Sequence, residues 1–407
     1  MKTIVPDGYK KTKVGVIPND WQLYRTDKVL KRVRNSVDVI ADEEYKQIGI
    51  RSHGKGIFYK ETVSGKELGN KSVFWIEPDC FIVNIVFAWE QAVGKTTENE
   101  VGMIASHRFP MYKPQANKVD LDYLVYLFKS KRGKYLLELA SPGGAGRNKT
   151  LGQGEFAELE IALPPFKEQQ KIANILTTYD EAIVKQEELI KEKEELKKGL
   201  MQKLLSGEVR FDGFNDEWQE IQLSQILKER KTYSEKGLEF EHVSLTKEGV
   251  VPKSEKYERD HLVKDDEKKY KITKLNDICY NPANLKFGVI CKNTFGSGIF
   301  SPIYVTFEVK KSYSVDFMGF YLTWNDFIGR VRKYEEGTVY ERMAVNPKNF
   351  IAYKATLPSK KEQEKIAEVL TVADKDINLF KNELEELKLQ KKALMQKLLT
   401  GQVRVRV

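Results

Sequence analysis

Residues 163–210 read LPPFKEQQKIANILTTYDEAIVKQEELIKEKEELKKGLMQKLLSGEVR, and residues 357–404 read LPSKKEQEKIAEVLTVADKDINLFKNELEELKLQKKALMQKLLTGQVR. They align without a gap at an offset of 194 (357 − 163), and about half the positions are identical. A segment repeated at this period makes the chain two half-molecules in tandem. Each copy carries the signals of one long helix. Pro164, Pro165 and Pro358 suit a helix entry, and Gly207 and Gly401 close the pattern as glycine does at a helix C-terminus. About 40 residues at 1.5 Å rise predict a rod of roughly 60 Å. Glu168 near the start, and Lys197, Lys198 and Lys203 near the end, match the helix dipole.

The apolar positions follow a heptad in the same frame in both copies. In the first it runs through Ile172, Leu176, Ile183, Ile190, Leu200 and Leu204; in the second, through Ile366, Leu370, Ile377, Leu384, Leu394 and Leu398. Two helices with one frame can pair as a coiled coil. If a pseudo-twofold axis relates the halves, the pair is antiparallel. The first seam is weakened at Gln186, Lys193 and Lys197, where flanking Leu189 and Leu196 are expected to compensate. Those two leucines also widen the apolar face beyond what one partner helix covers, so they are assigned to subunit docking.

The duplication extends outward. Ile17-Pro18-Asn19-Asp20-Trp21 opens the first half and Phe214-Asn215-Asp216-Glu217-Trp218 the second. Between opening and helix lie about 140 divergent residues with two echoes. Residues 45–50 parallel 240–245, and residues 119–124 parallel 313–318. The expected fold class is α+β: a first variable globular domain over 1–162, a central helix over 163–210, a second variable globular domain over 211–356 and a distal helix over 357–407, with the helices pairing as an antiparallel coiled coil of pseudo-twofold symmetry.

The 407 residues suffice for two or more domains. No run of 18 apolar residues predicts a membrane span, and the N-terminus lacks the apolar core of a signal peptide. Cys80, Cys279 and Cys291 are few, odd in number and dispersed, which suits a reducing cytoplasm rather than disulfides or zinc. Residues 168–207 and 362–401 each hold 7 Lys against 8 acidic residues, so each helix is −1 and, for a net charge of +9, the rest of the chain carries +11 (9 + 2). A basic excess in the variable domains points to nucleic acid.

Motifs for catalysis are broken. In residues 49–56 Gly56 stands where a phosphate loop needs Ser or Thr, and Trp89 replaces the first glycine of the stretch ending Gly94-Lys95-Thr96. Tyr280-Asn281-Pro282-Ala283 departs from the Asn-Pro-Pro-aromatic motif of amino-methyltransferases at Ala283 and Asn284. His53, His107, His242 and His261 show no metal-ligand spacing. Binding rather than catalysis is the expected work. The rivals are a self-sufficient DNA-modifying enzyme, which would itself bind S-adenosylmethionine or ATP, and a coiled-coil scaffold without DNA function.

Taken in order, Gly15-Val16-Ile17-Pro18-Asn19-Asp20-Trp21, Leu163-Pro164-Pro165 with Glu168-Gln169-Gln170-Lys171-Ile172-Ala173, the twin Leu357-Pro358 with Glu362-Gln363-Glu364-Lys365-Ile366-Ala367, and the two tails at 200–207 and 394–401 resemble the specificity subunits (HsdS family) of type I restriction–modification systems. The resemblance spans the chain. It implies that two target recognition domains each read half of a bipartite, asymmetric site on double-stranded DNA. The helices would set the spacer and dock two modification (methyltransferase) subunits for adenine N6 methylation. Restriction subunits would add ATP-dependent translocation and cleavage. It further implies a cytoplasmic, non-catalytic chain with no cofactor or metal of its own; S-adenosylmethionine, ATP and Mg belong to partner subunits. Candidate DNA-binding residues lie on loops that join glycine to basic or amide groups, which can approach a groove closely. They are Arg51, His53, Lys55, Arg147, Asn148 and Lys149 in the first domain, and Lys247, Lys286, Tyr340 and Arg342 in the second.

Overall fold

The computed structural model describes residues 5–143, 149–234, 240–253, 269–337 and 343–406. Both repeats are single helices, Phe166–Ser206 and Lys360–Leu399. The chain divides into two compact units, residues 1–187 with 383–407, and residues 188–382. Each unit thus holds one globular domain, the first half of its own helix and the last half of the other.

In the first unit one four-stranded sheet is built from Gly56–Ser64, Glu44–Arg51, Ile104–Ser106 and Val73–Trp75, in that spatial order. A second is built from Leu30–Val33, Met111–Pro114, Phe81–Val83 and Val93–Lys95. Two short helices follow, Leu121–Lys129 and Lys131–Leu139, capped by Asp120 and Ser130. In the second unit the main sheet orders Leu227–Glu229, Val305–Val309, Ile278–Tyr280 and Ile290–Lys292. Its helix Val315–Thr323 is capped by Ser314, the equivalent of Asp120 at the repeat offset. The strand echo is equally physical: Gln47 pairs in parallel with Ile104, and His242 with Ile299.

Within each unit the helix halves run antiparallel. In the first, Gln186 meets Glu383, Asp180 meets Lys391, and Ile172 shares a core with Leu398. In the second, Lys193 lies over Phe380, Lys197 pairs with Asp374, and Leu204 shares a core with Ile366 and Leu370. The core of each domain is therefore completed by the tail of the other half's helix. The Phe81, Phe128 and Phe156 rings cluster with centroids 5.0–6.2 Å apart in the first core, and Tyr280, Phe307 and Phe350 stack within 4.6–6.0 Å in the second.

Three sequence expectations need physical correction. The polar seam positions are not weak points. Lys197 pairs with Asp374 and lies 5.4 Å over the Phe320 ring; Lys391 pairs with Asp180 and lies 5.3 Å over Tyr126. These are the same contacts at the 194-residue offset, a cation sandwiched between carboxylate and aromatic face. Leu196 does not compensate in the seam, since it is 58% exposed. Glu168 acts through more than the helix dipole. Its carboxylate is buried and takes two hydrogen bonds of 2.7 Å from Arg404, while Glu362 takes bonds of 2.9 and 2.7 Å from Arg210.

The opening motifs join the same junctions. Gly401 and Gly207 have φ of 72° and 75°, the left-handed region glycine favours after a helix. A Cβ on Gly401 would lie 2.6 Å from Pro18 and 3.3 Å from Trp21; one on Gly207 would lie 3.2 Å from Trp218. Each tryptophan thus caps the end of the other half's helix, and Asp20 adds 2.9 and 2.6 Å bonds from Arg404. The glutamines behind the buried glutamates lock the entry. Gln169 accepts from the Asp120 N–H (2.9 Å) and Gln363 from the Ser314 N–H (3.0 Å).

Candidate nucleic-acid interface

Glu44–Arg51 and Gly56–Ser64 form a hairpin that pairs Arg51 with Gly56. Its tip turns back through His53, Gly54 and Gly56, with φ of 60°, 67° and 76°. Gly49 lets the Phe58 ring lie across the hairpin, since a Cβ there would lie 2.4 Å from that ring and displace it. The tip is fastened to the turn Ala88–Glu90 and its neighbour Gln91. The His53 N–H donates to Glu90 O (2.6 Å), the Gly54 N–H to Gln91 O (2.9 Å), and the Ser52 hydroxyl to the Glu90 carboxylate (2.9 Å). Gln91 itself donates to Phe128 O and Ser130 O, both at 2.9 Å. This rigid mount leaves Arg51, His53 and Lys55 exposed, with the Arg51 guanidinium 5.1 Å over Phe58.

Lys149 reaches the same mount, its ammonium 5.8 Å over Trp89. Four sequence-selected residues thus gather around one turn: Arg51, His53, Lys55 and Lys149. Arg147 and Asn148 lie outside the described residues. Glu90 and Gln91, which carry the mount, were missed. Their partners lie 37 or more residues away in sequence, and no local pattern marks them.

In the second unit Lys247 projects from the turn between Val243–Leu245 and Val250–Pro252, closed by the Thr246 N–H donating to Gly249 O (2.9 Å). Lys286 ends the turn Pro282–Phe287, exposed and 5.1 Å over Phe287. These two sit on separate elements. Tyr340 and Arg342 lie outside the described residues.

The broken catalytic motifs have structural duties. Tyr280 is buried and donates to Val345 O (3.0 Å), while the Asn281 side chain accepts from the Ala283 N–H to cap the following turn. The Thr96 hydroxyl is buried, donating to Glu77 O (2.6 Å) and accepting from the Cys80 N–H (3.0 Å). Burial pushes the Cys80 thiol up to about 11 and the Cys291 thiol up to about 12, so neither forms a ready thiolate nucleophile. No helix among the described residues is long and apolar enough to cross a membrane.

Residues 51–197 match the family model for the type I restriction modification DNA specificity domain. The chain is 24% identical to the putative type I restriction enzyme MjaX specificity subunit of Methanocaldococcus jannaschii, covering 98% of this chain and 97% of that one. It is 25% identical to the type I restriction enzyme MjaVIII specificity subunit of the same organism, covering 96% and 94%. Among solved structures it resembles the HsdS subunit from Thermoanaerobacter tengcongensis (TM-score 0.55, 15% identity, 95% of this chain and 98% of that one). It also resembles the type I restriction–modification S subunit from M. genitalium (TM-score 0.55, 16% identity, 97% and 99%).

Proposed function

We infer that this chain, which belongs to the type I restriction–modification specificity subunits, recognises DNA sequence for a multisubunit complex, each of its two domains reading one half of a bipartite site. One observation carries the division of labour. The two units share their frame contact for contact, from Arg404–Glu168 and Arg210–Glu362 to Lys391–Asp180 and Lys197–Asp374, while the segments between frame elements differ. A common mount with unlike reading surfaces suits two unlike half-sites.

In the first domain the hairpin tip brings Arg51, His53 and Lys55 to a groove, and Lys149 to the backbone beside it. Arginine and lysine contacts to phosphate position a protein, while contacts to base edges give sequence preference. Arg147 and Asn148 in the first domain, and Lys247, Lys286, Tyr340 and Arg342 in the second, are the remaining candidate DNA-binding residues. The long helices set the spacer between half-sites and dock two modification subunits. The chain itself is not catalytic. S-adenosylmethionine for adenine N6 methylation belongs to the modification subunits, and ATP with Mg to restriction subunits.

Exchanging residues 217–355 for the second domain of another family member tests this reading. Methylation mapping of the assembled complex should show one half of the target motif changed and the other retained. A change in both halves would refute modular reading.

A further inference from the structure

The first unit contains a cavity of about 480 Å³ between the junction of its two short helices and the last turns of Lys360–Leu399. Six cations line it, Lys129, Lys131 and Arg132 on one side and Lys388, Lys391 and Lys392 on the other, beside Ser130, Gln396 and Thr400, with no acidic side chain among the described lining residues. Three of the six are engaged within the protein. Lys391 pairs with Asp180, Lys388 with Glu187 (3.0 Å), and Arg132 donates to Val14 O (2.6 Å). Among the described residues, Lys129, Lys131 and Lys392 have no ion-pair partner. Lys129 is half-buried and makes no direct ion pair, although the Asp180 and Asp122 carboxylates act on it from further off, and a partly desolvated ammonium without a direct partner is costly. Burial accordingly holds its pKa below the ordinary lysine value.

The cavity adjoins the candidate reading surface. The Lys129 stem packs beneath the hairpin tip, with its Cγ 3.0 Å from where a Cβ on Gly54 would lie. Gln91 ties the same tip to the helix junction through Phe128 O and Ser130 O. Hairpin and cavity therefore adjoin through the Lys129 stem and the helix junction.

The second unit shows that the fold does not require these charges. At the repeat offset, Thr323, Asn325 and Asp326 stand in place of Lys129, Lys131 and Arg132, and Glu194 in place of Lys388. The corresponding cavity there is lined by Glu194, Glu195 and Asp374 as well as Lys197, Lys198 and Lys381. Lys391 and Lys392 recur there as Lys197 and Lys198, but a lining of cations without carboxylates is confined to the first unit's cavity among the described residues.

We propose that this cavity is a phosphate site for the DNA backbone, with Lys129, Lys131 and Lys392 clamping the strand beside the bases that the hairpin reads. Lysine ammoniums act on phosphate as point charges and release condensed counterions. The site would fix the register of the first domain on the duplex without contributing sequence preference. It rests on the DNA-recognition reading above.

The test uses the full chain assembled with its modification subunits and a Lys129→Gln, Lys131→Gln, Lys392→Gln variant. Binding to a target duplex and to a scrambled duplex is measured across salt concentrations. Loss of three phosphate contacts should weaken both duplexes by a similar factor and flatten the slope of log K against log salt by about 2–3, at about 0.9 per phosphate. The methylated motif should stay the same. Lys131→Gln with Lys392→Gln, which leaves half-buried Lys129 in place, should flatten it by about 2. Lys198→Gln with Lys381→Gln in the second unit should leave it unchanged. A parental slope in the triple variant would overturn the site. So would loss of the modification subunits with DNA salt dependence intact, which would mark the cavity as a seat for an acidic protein segment. If the parent complex shows no salt-dependent DNA binding, the DNA-recognition reading fails, and the phosphate site with it.

Discussion

Arg404→Ala should lower the stability of the first unit by about 3 kcal/mol, the low end of what removing one partner of a buried ion pair costs. The guanidinium donates to both oxygens of Glu168, which is 2% exposed, and to both oxygens of Asp20. Alanine would leave the Glu168 carboxylate buried without its counter-charge. The low end applies because the Arg404 side chain is 38% exposed, so water can partly replace it. Adding Glu168→Gln should restore part of the loss, because a neutral amide is cheaper to bury than an unpaired charge. The earlier urea transition of the full chain is the readout. The pH dependence has a definite sign. The hydrogen bond from Arg404 holds the Asp20 pKa below its ordinary value. Its contribution is therefore fully present above the ordinary carboxylate pKa and lost as pH falls through the lowered one. The gap between parent and variant should narrow on acidification. An unchanged transition in Arg404→Ala would mean that this junction does not hold the unit together.

Leu189→Glu with Leu196→Glu should abolish co-purification of the modification subunits. Leu196 is 58% exposed on a helix whose seam faces elsewhere, and Leu189 is half-buried one heptad before it. They continue an apolar flank that passes through Ile175, and a third apolar position per heptad is the pattern of a helix with more than one helical neighbour. Two carboxylates there would be buried at an interface without partners, a cost of several kcal/mol. The chain's own unfolding should change less than assembly does, because Leu196 is already in water and Leu189 is only half-buried. Normal assembly of the double variant would place the docking surface elsewhere.

The helices were the most legible part of the molecule. A gap-free repeat with one heptad frame marked both to within a few residues, and glycine marked both ends. The domain echoes were legible too, since Asp120 and Ser314 each precede a helix that starts at the repeat offset. The junctions were not. Glu168 and Arg404 are 236 residues apart, and Glu362 and Arg210 are 152 apart. Nothing local distinguishes a buried glutamate that awaits a distant arginine from a dipole-matched one at the surface. Lys197 misled for a related reason: a charge in an apolar seam reads as a defect until its carboxylate and aromatic partners are seen. At the reading surface, composition picked out the hairpin tip at 51–55, but not the turn at Glu90 and Gln91 that holds it. Two of those links are backbone hydrogen bonds, and the side-chain ones join residues 37 or more apart, so no local pattern encodes them.

The most direct test of two-part DNA reading is single-molecule sequencing of methylated adenines in a host that carries this chain with its modification subunits. The expected result is one asymmetric motif, two short specified segments separated by a fixed run of unspecified bases, with N6-methyladenine in each. A single continuous motif, or methylation without sequence preference from an intact complex, would contradict it.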